Sequence, residues 1–382
     1  MKIAIITDGI FPYVMGGMQK HSFYLCKFLA QKGVKIDLYH TNQQTKHDIT
    51  KLEFFTEEEK ANITSIVVPF PASDKLPGHY IRASKKYSEL LYLEYQKREK
   101  TDFIYSKGLA AWKFLKEKEN GVALPPISVK VHGYEMFQIA PSFRVKLEHL
   151  LLRPVFRFVN EKADYIFSYG GGITDIILQH FQVKKENIFD IPTGIDAAWV
   201  YEGNTKVNTP RKFVFLGRYE RRKGIEELNV VLEKLKTTQN FEFHFIGPIE
   251  EEKQVKSEKI TYHGQTSDIN KIKNILQNAD VLVCPSYSEG MPNVIMEAMA
   301  SGCAVLATNV GAVNVMTNDE NGWLIPPADI NALEYAMIAA LNLEENALLA
   351  KKKCSVQKVK DRFLWTNIAE ITHKAIKSII AK

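Results

Sequence analysis

Val281-Leu282-Val283-Cys284-Pro285-Ser286-Tyr287-Ser288-Glu289-Gly290-Met291-Pro292-Asn293-Val294-Ile295-Met296-Glu297-Ala298-Met299-Ala300-Ser301-Gly302-Cys303-Ala304-Val305-Leu306-Ala307 reads as a strand, a loop with Gly and Pro, an apolar helix starting near Pro292, and a second strand. Strands that are apolar throughout, joined through a helix, belong to a parallel sheet covered on both faces. Proline suits the first helical turn because its missing N–H would be unpaired there anyway. The other N–H groups of that turn face the Gly290 loop and form a ready anion site. Two carboxylates, Glu289 and Glu297, follow each other in this stretch. The first lies in the loop; the second sits further into the helix and can aim at neutral hydroxyls. N–H groups for a phosphate beside carboxylates for hydroxyls suit a sugar nucleotide. Alone, the same residues also read as a loop, a helix and two solvated acids.

The alternation of apolar strands and amphipathic helices extends along the chain and predicts doubly wound parallel sheets. Candidate strands in the first half are Lys2–Ile6, Lys35–His40, Ser65–Val68, Phe103–Tyr105, Ile127–Val131, Tyr165–Ser168 and Ile188–Ile191. Those in the second half are Lys212–Leu216, Glu242–Ile246, Ile260–His263, Val281–Cys284, Ala304–Ala307 and Gly322–Ile325. Each half therefore carries its own sheet. The polar, turn-forming run from Tyr201 to Pro210 marks the break. The expected domains are 1–196 and 211–362, with a linker at 197–210 and a last segment at 363–382.

A chain of 382 residues has room for two domains of ordinary size. A hydrophobic content of 45% with 25% charged residues is that of a soluble globular protein. No run approaches the ~18 to 20 apolar residues that span a bilayer. Asp8 interrupts the short apolar start, so Ile3 to Ile6 is read as a buried strand and not a signal peptide. Cys26, Cys284, Cys303 and Cys354 are scattered, which fits reduced thiols in a cytoplasmic protein. A net charge of +6 is too small for a nucleic-acid binder but suits anionic nucleotide sugars.

Two more stretches bear on ligand chemistry. After the strand ending at Leu216, Gly217-Arg218-Tyr219-Glu220-Arg221-Arg222-Lys223-Gly224 holds four cations. A diphosphate calls for such charge, with Arg as a planar fork and Lys as a point charge. By itself the run reads first as an ordinary solvated basic turn. Near the start, Gly16-Gly17 lies between a strand and a helix, where backbone can approach a ligand closely.

Together these pieces resemble glycosyltransferase family 4, the retaining, nucleotide-sugar-dependent enzymes of the GT-B fold. The resemblance includes Gly16-Gly17…His21, Val131-His132-Gly133, Glu161-Lys162-Ala163-Asp164, Ile191-Pro192-Thr193-Gly194-Ile195-Asp196, Gly217-Arg218…Lys223-Gly224, Phe245-Ile246-Gly247, His263-Gly264, Ala279-Asp280, the Glu289/Glu297 pair and Asn321-Gly322-Trp323-Leu324-Ile325. It implies two Rossmann-like domains facing an interdomain cleft, with the last segment crossing back onto the first domain. It also implies site roles. Arg218 and Lys223 match the diphosphate-binding pair, and Gly16 and Gly17 the phosphate-facing loop. Gly290, Met291, Pro292, Asn293 and Val294 cap the same region. Glu297 matches the acceptor of the ribose hydroxyls, Glu289 the carboxylate near the donor sugar, and His132 a contact near the sugar's 6-position. There is no Asp-x-Asp in the chain, so no metal or cofactor is expected and fixed cations would stabilise the leaving group. Two blocks depart from the family: Gly311-Ala312-Val313-Asn314 lacks a glutamate, and Thr193 stands where an asparagine is usual.

The expectation is therefore a retaining, metal-independent transferase moving a sugar from a UDP- or GDP-linked donor to a glycan or lipid-linked acceptor. A GT-B epimerase or phosphorylase, and a catalytically silent GT-B subunit, are the alternatives. Two basic, aromatic-containing stretches, Lys75–Tyr87 and Pro141–Val159, lie on the acceptor side. The second is read first as a surface helix whose apolar stripe packs on its own domain. Its cations also suit an anionic membrane, which leads to an expected peripheral association at the inner membrane face.

Overall fold

The computed structural model describes residues 1–14, 16–42, 53–72, 76 and 78–382; Lys75 and Pro77 of the first basic stretch lie outside them. The chain divides into two compact units. One comprises Met1–His132, Leu147–Gly194 and Trp365–Lys382; the other comprises Gly133–Lys146 and Ile195–Leu364.

The first unit is built on β1 (Lys2–Ile6), β2 (Lys35–His40), β3 (Ile63–Val67), β4 (Phe103–Lys107), β5 (Ile127–Lys130), β6 (Tyr165–Ser168) and β7 (Ile188–Asp190). They form one sheet in the order β3-β2-β1-β4-β5-β6-β7, parallel throughout. Ile3 lies opposite Ile36 on one side and Phe103 on the other. The strands are buried on both faces by helices, which is why they read as continuous apolar runs. The helix Trp365–Ile380 joins this core through Trp365, Ile368, Ile376 and Ile379. Trp365 stacks on Tyr24 at 5.6 Å and meets the His21 ring edge-on at 5.0 Å.

The second unit carries β8 (Arg211–Leu216), β9 (Phe241–Ile246), β10 (Ile260–Tyr262), β11 (Val281–Cys284), β12 (Ala304–Thr308) and β13 (Gly322–Ile325). Their order is β10-β9-β8-β11-β12-β13, again parallel. The strands expected from the apolar runs are all present, with ends shifted by at most two residues. In each sheet the winding direction reverses once, between β1 and β4 and between β8 and β11. Loops at the carboxyl ends of such strands diverge and leave room for a ligand.

The unit boundaries differ from those read in the sequence. Gly133–Lys146 groups with the second sheet because Gln138 grips the Glu289 backbone. Its Nε2 donates to the Glu289 carbonyl at 2.8 Å, and its Oε1 accepts from the Glu289 N–H at 3.3 Å. The linker is tied to the second unit by Asp280, which is fully buried. Asp280 accepts from the Asn208 and Lys212 backbone N–H groups and from Lys352 Nζ at 2.8 Å. A buried charge is tolerated where it is paired and hydrogen-bonded in this way.

The helix Phe143–Lys162 also departs from expectation. Its apolar stripe at Phe143, Leu147, Leu150 and Leu151 is not covered: these side chains are 75%, 49%, 46% and 55% exposed. Only the later residues Phe156, Val159 and Asn160 are buried.

Candidate active site

In the second unit the loops after β8 and β11 meet at the switch point. After Gly217, the chain makes a short turn at Arg221–Lys223 and enters the helix Ile225–Thr238 through Gly224. Gly224 is left-handed, with φ +66°, and a Cβ there would lie 1.9 Å from the Pro285 carbonyl oxygen. Glycine thus lets the two loops touch, and the contact carries Lys223 onto Glu289. Lys223 Nζ donates to Glu289 Oε1 at 2.6 Å, Ser286 Oγ donates to the same oxygen at 2.8 Å, and Arg222 Nη1 stands 3.5 Å from Oε2. Burial pushes the Glu289 carboxyl up. The charges of Lys223 and Arg222, with the hydrogen bonds from Lys223 and Ser286, outweigh it, so the pKa lies below the ordinary value. Glu289 is a held carboxylate and not a proton donor.

The four cations of the β8 loop have different duties. Arg221 forms a two-pronged pair with Glu227 at 2.9 and 2.7 Å and lies over the Tyr287 ring at 4.6 Å. It locks one loop to the other. Arg222 donates to the Ser288 carbonyl at 3.1 Å. Arg218 is 74% exposed, with Glu220 at 2.7 Å. It is the cation best placed to follow an anion arriving from solvent.

Gly290, Met291 and Pro292 are buried and lead into the helix Asn293–Ala300. Pro292 is the extended residue before the helix and not part of its first turn. Its carbonyl accepts from the Ile295 N–H, which starts the helix and leaves the Asn293 and Val294 N–H groups at its free end. Glu297 lies four positions after Asn293, on the same face. The loop after β12 closes against this turn. Gly311 has φ +55°, and a Cβ there would lie 2.1 Å from the Glu289 carbonyl oxygen. Ala312 N–H donates to the Gly290 carbonyl at 2.7 Å. Here the Gly-Ala sequence serves the backbone contact directly.

In the first unit, Gly16 and Gly17 follow β1 and open the helix Gly17–Gln31. His132 follows β5, with Nδ1 2.7 Å from the Tyr169 hydroxyl. Behind them is a buried polar group. Lys107 Nζ lies 2.7 Å from His21 Nδ1. Burial, reinforced by Lys130, holds the Lys107 amine well below its ordinary value. Burial, then the charges of Lys107 and Lys130, does the same to His21. Burial pushes Asp8 up to about 6 against the opposing charge of Lys107.

The structure thus brings Lys223 and Glu289 together, with Gly290–Val294 following, and places Gly16 and Gly17 at the start of the helix after β1 and His132 just beyond β5. Sequence reasoning missed Ser286, Gln138 and Tyr169, which touch the expected residues from loops without a spacing signal, and it read Arg222 only as one of the cations of the basic run. It also missed Glu135, whose carboxyl burial pushes up, with Arg222 opposing and Glu289 adding to the rise.

Comparison with known proteins follows the same division. Residues 15–199 match the family model described as Glycosyltransferase Family 4, and residues 210–342 match Glycosyl transferases group 1. TuaC of Bacillus subtilis, provisionally assigned to teichuronic acid biosynthesis as a glycosyltransferase, is 36% identical over 170 residues, 41% of this chain and 43% of that protein. WcaL of Escherichia coli, similarly assigned to colanic acid biosynthesis, is 27% identical over 281 residues, 68% of this chain and 66% of that protein. The matches therefore span only part of these relatives' lengths. Among solved structures, sucrose-phosphate synthase of Thermosynechococcus elongatus superposes with a TM-score of 0.79 at 20% identity, covering 100% of this chain and 99% of that one. HepE of Anabaena, solved in complex with UDP, gives 0.64 at 15% identity, covering 99% and 100%. These likenesses show the GT-B fold. With the two family models taking in well over half of the sequence, the chain belongs to the group 1 glycosyltransferases.

Proposed function

We propose that this protein is a retaining, metal-independent glycosyltransferase. It moves a sugar from a UDP- or GDP-linked donor to a hydroxyl of a glycan or lipid-linked acceptor in cell-surface polysaccharide synthesis. The observation that carries the reading is the Lys223–Glu289 pair at the carboxyl ends of β8 and β11. A fixed cation for the departing diphosphate is coupled there to a carboxylate for the sugar's hydroxyls. Arg218 and Lys223 offset the charge that develops on the leaving group, and N–H groups of the Asn293–Ala300 helix add donors to the phosphate. Glu297 accepts from the ribose, and Glu289 orients the sugar. On the first unit, Gly16 and Gly17 let backbone approach the phosphate, and His132 contacts the sugar near its 6-position. The leaving phosphate itself takes the acceptor's proton as the new bond forms on the same face. TuaC and WcaL support the cell-surface role by their assignments, and the UDP complex of HepE supports the nucleotide donor.

The first test is a thermal-shift screen of nucleotides and UDP- and GDP-sugars. A ligand at 100 times its Kd stabilises by about 2.7 kcal/mol, so the donor should be visible directly. No shift with any nucleotide sugar would remove the donor site. Product analysis with labelled acceptor separates transfer from epimerisation. Metal independence, which rests on the missing Asp-x-Asp and the fixed cations, predicts full turnover in excess EDTA. Loss of turnover that Mg²⁺ or Mn²⁺ restores would overturn it.

A second feature concerns the acceptor. The exposed stripe of the Phe143–Lys162 helix lies among Arg144, Lys146, Arg153 and Arg157. Apolar side chains flanked by cations suit an anionic bilayer surface, and a lipid-linked acceptor would be presented there.

A further inference from the structure

Lys130 and Tyr169, which have no part in the site chemistry above, lead in a line to His132, which does. Lys130 is fully buried at the end of β5. Its Nζ donates to the Ile191 carbonyl at 2.5 Å and reaches the Ser168 carbonyl at 3.4 Å. The same nitrogen sits 4.0 Å from the centroid of the Tyr169 ring. Tyr169 is also fully buried, and its hydroxyl lies 2.7 Å from His132 Nδ1. Either atom of that last pair can donate, and which one does decides where the imidazole proton resides.

Lys130 holds the phenol ring from its other side. Two carbonyl oxygens and a ring face are all acceptors, and they serve the N–H groups of Lys130 in either protonation state. Burial pushes the Lys130 amine well below its ordinary value, and the Asp190 carboxylate opposes that shift. A positive charge above a phenol ring draws electron density from it. The hydroxyl becomes a better donor and a poorer acceptor. A neutral amine in the same place would leave that preference weaker. Tyr169 is flanked as well by the His21 ring at 6.3 Å, and Lys107 at 2.7 Å from His21 Nδ1 gives that imidazole a matching arrangement.

We propose that Tyr169 is a positioning residue for His132. Its hydroxyl donates to His132 Nδ1 and keeps the imidazole proton on Nε2, and Lys130 Nζ, 4.0 Å from the ring centroid, holds the ring that carries the hydroxyl. His132 then meets the donor sugar as an N–H donor and not as a base. The catalytic consequence rests on the reading of His132 as a sugar contact, but the tautomer does not, which allows the two to be tested apart.

The test is long-range ¹H–¹⁵N correlation of the ¹⁵N-histidine-labelled full chain without ligand, with His132→Ala used to assign the signal. The wild type should show His132 protonated on Nε2. Tyr169→Phe should give a mixture of tautomers, and Lys130→Met a smaller shift in the same direction. Melting temperature and retained nucleotide binding check that each variant is folded. With the nucleotide sugar that stabilises best, Tyr169→Phe should lower kcat about tenfold or more, with the donor KM nearly unchanged. Protonation of His132 on Nδ1 in the wild type, or an unchanged tautomer in folded Tyr169→Phe, overturns the proposal. Normal transfer by His132→Ala, with the tautomer responding as described, instead overturns the role assigned to His132.

Discussion

At the residue scale, Arg218 and Lys223 are both assigned to the diphosphate, yet their surroundings predict different variants. Arg218→Ala removes a mostly exposed side chain. It should lower turnover about 100-fold, the usual cost of losing one fixed donor to developing charge, with no change in melting temperature. Lys223→Ala should lose a similar amount of activity and also about 1–3 kcal/mol of stability. The reason is that Glu289 keeps its burial while losing its 2.6 Å partner. The Lys223→Ala/Glu289→Gln double variant should recover part of that stability and none of the activity. Near-normal turnover in both single variants would remove the donor-site assignment. Asp8 is a second case in which burial governs the outcome. Its folded pKa of about 6 lies above the ordinary carboxylate value, because burial disfavours the charge. The folded state therefore binds this proton more tightly than the unfolded chain does. The resulting stability is present at low pH and lost as pH rises through this interval. Asp8→Asn should match the wild type near pH 4 and be more stable at pH 8, on the order of 2–3 kcal/mol. Melting curves across pH 4–8 measure it; a constant difference would show that Asp8 does not titrate there.

At the element scale, the site depends on loops held together by backbone contact. Gly224→Ala would drive a Cβ into the Pro285 carbonyl at 1.9 Å from a left-handed backbone. It should lower the melting temperature and separate Lys223 from Glu289, whereas Gly264→Ala, with open space around its Cβ, should strain only the backbone. Comparable turnover in the two variants would mean that the loop contact does not position the pair. The strands that support these loops were legible because buried parallel strands are apolar throughout, as Phe103–Tyr105 and Val281–Cys284 are. The carboxylates and the basic loop were legible because their residue types mark the chemistry. What could not be read was the partnering. Gln138 reaches the Glu289 backbone across 151 positions, Ser286 binds the Glu289 carboxylate, and nothing local in the sequence distinguishes either from a solvated polar residue. Pro292 was placed a residue too far into its helix, since its fixed φ suits the cap as well as the first turn. The Phe143–Lys162 helix shows the opposite failure. Its periodicity was read correctly, but periodicity alone does not say whether a stripe is covered by the protein.

At the scale of the whole molecule, the question is what meets that uncovered stripe. Among the described residues no helix is long and apolar enough to cross a membrane, so any attachment through this surface is peripheral. Phe143, Leu147, Leu150 and Leu151 follow one another at helical spacing, all exposed, with Arg144, Lys146, Arg153 and Arg157 on the same helix against Glu148 and against Glu161, which lies 4.0 Å from Arg157. The chain as a whole is cationic, at +6. Each cation near an anionic surface contributes about 1 kcal/mol at most, and salt screens it. Inserted leucine and phenylalanine side chains add a contribution that salt does not screen. Co-sedimentation should therefore show binding to anionic vesicles at low salt, weaker binding at high salt, and little binding to neutral vesicles. Arg153→Ser with Arg157→Ser should lower the affinity and flatten its salt dependence. Leu150→Asn with Leu151→Asn should lower it at every salt concentration. Lys85→Ser with Lys86→Ser tests the other basic stretch, which should matter less because, among its described residues, only Leu76 and Tyr80 are exposed large apolar side chains. If the wild type fails to bind anionic vesicles at low salt, the stripe serves another partner and the acceptor need not be held at a membrane.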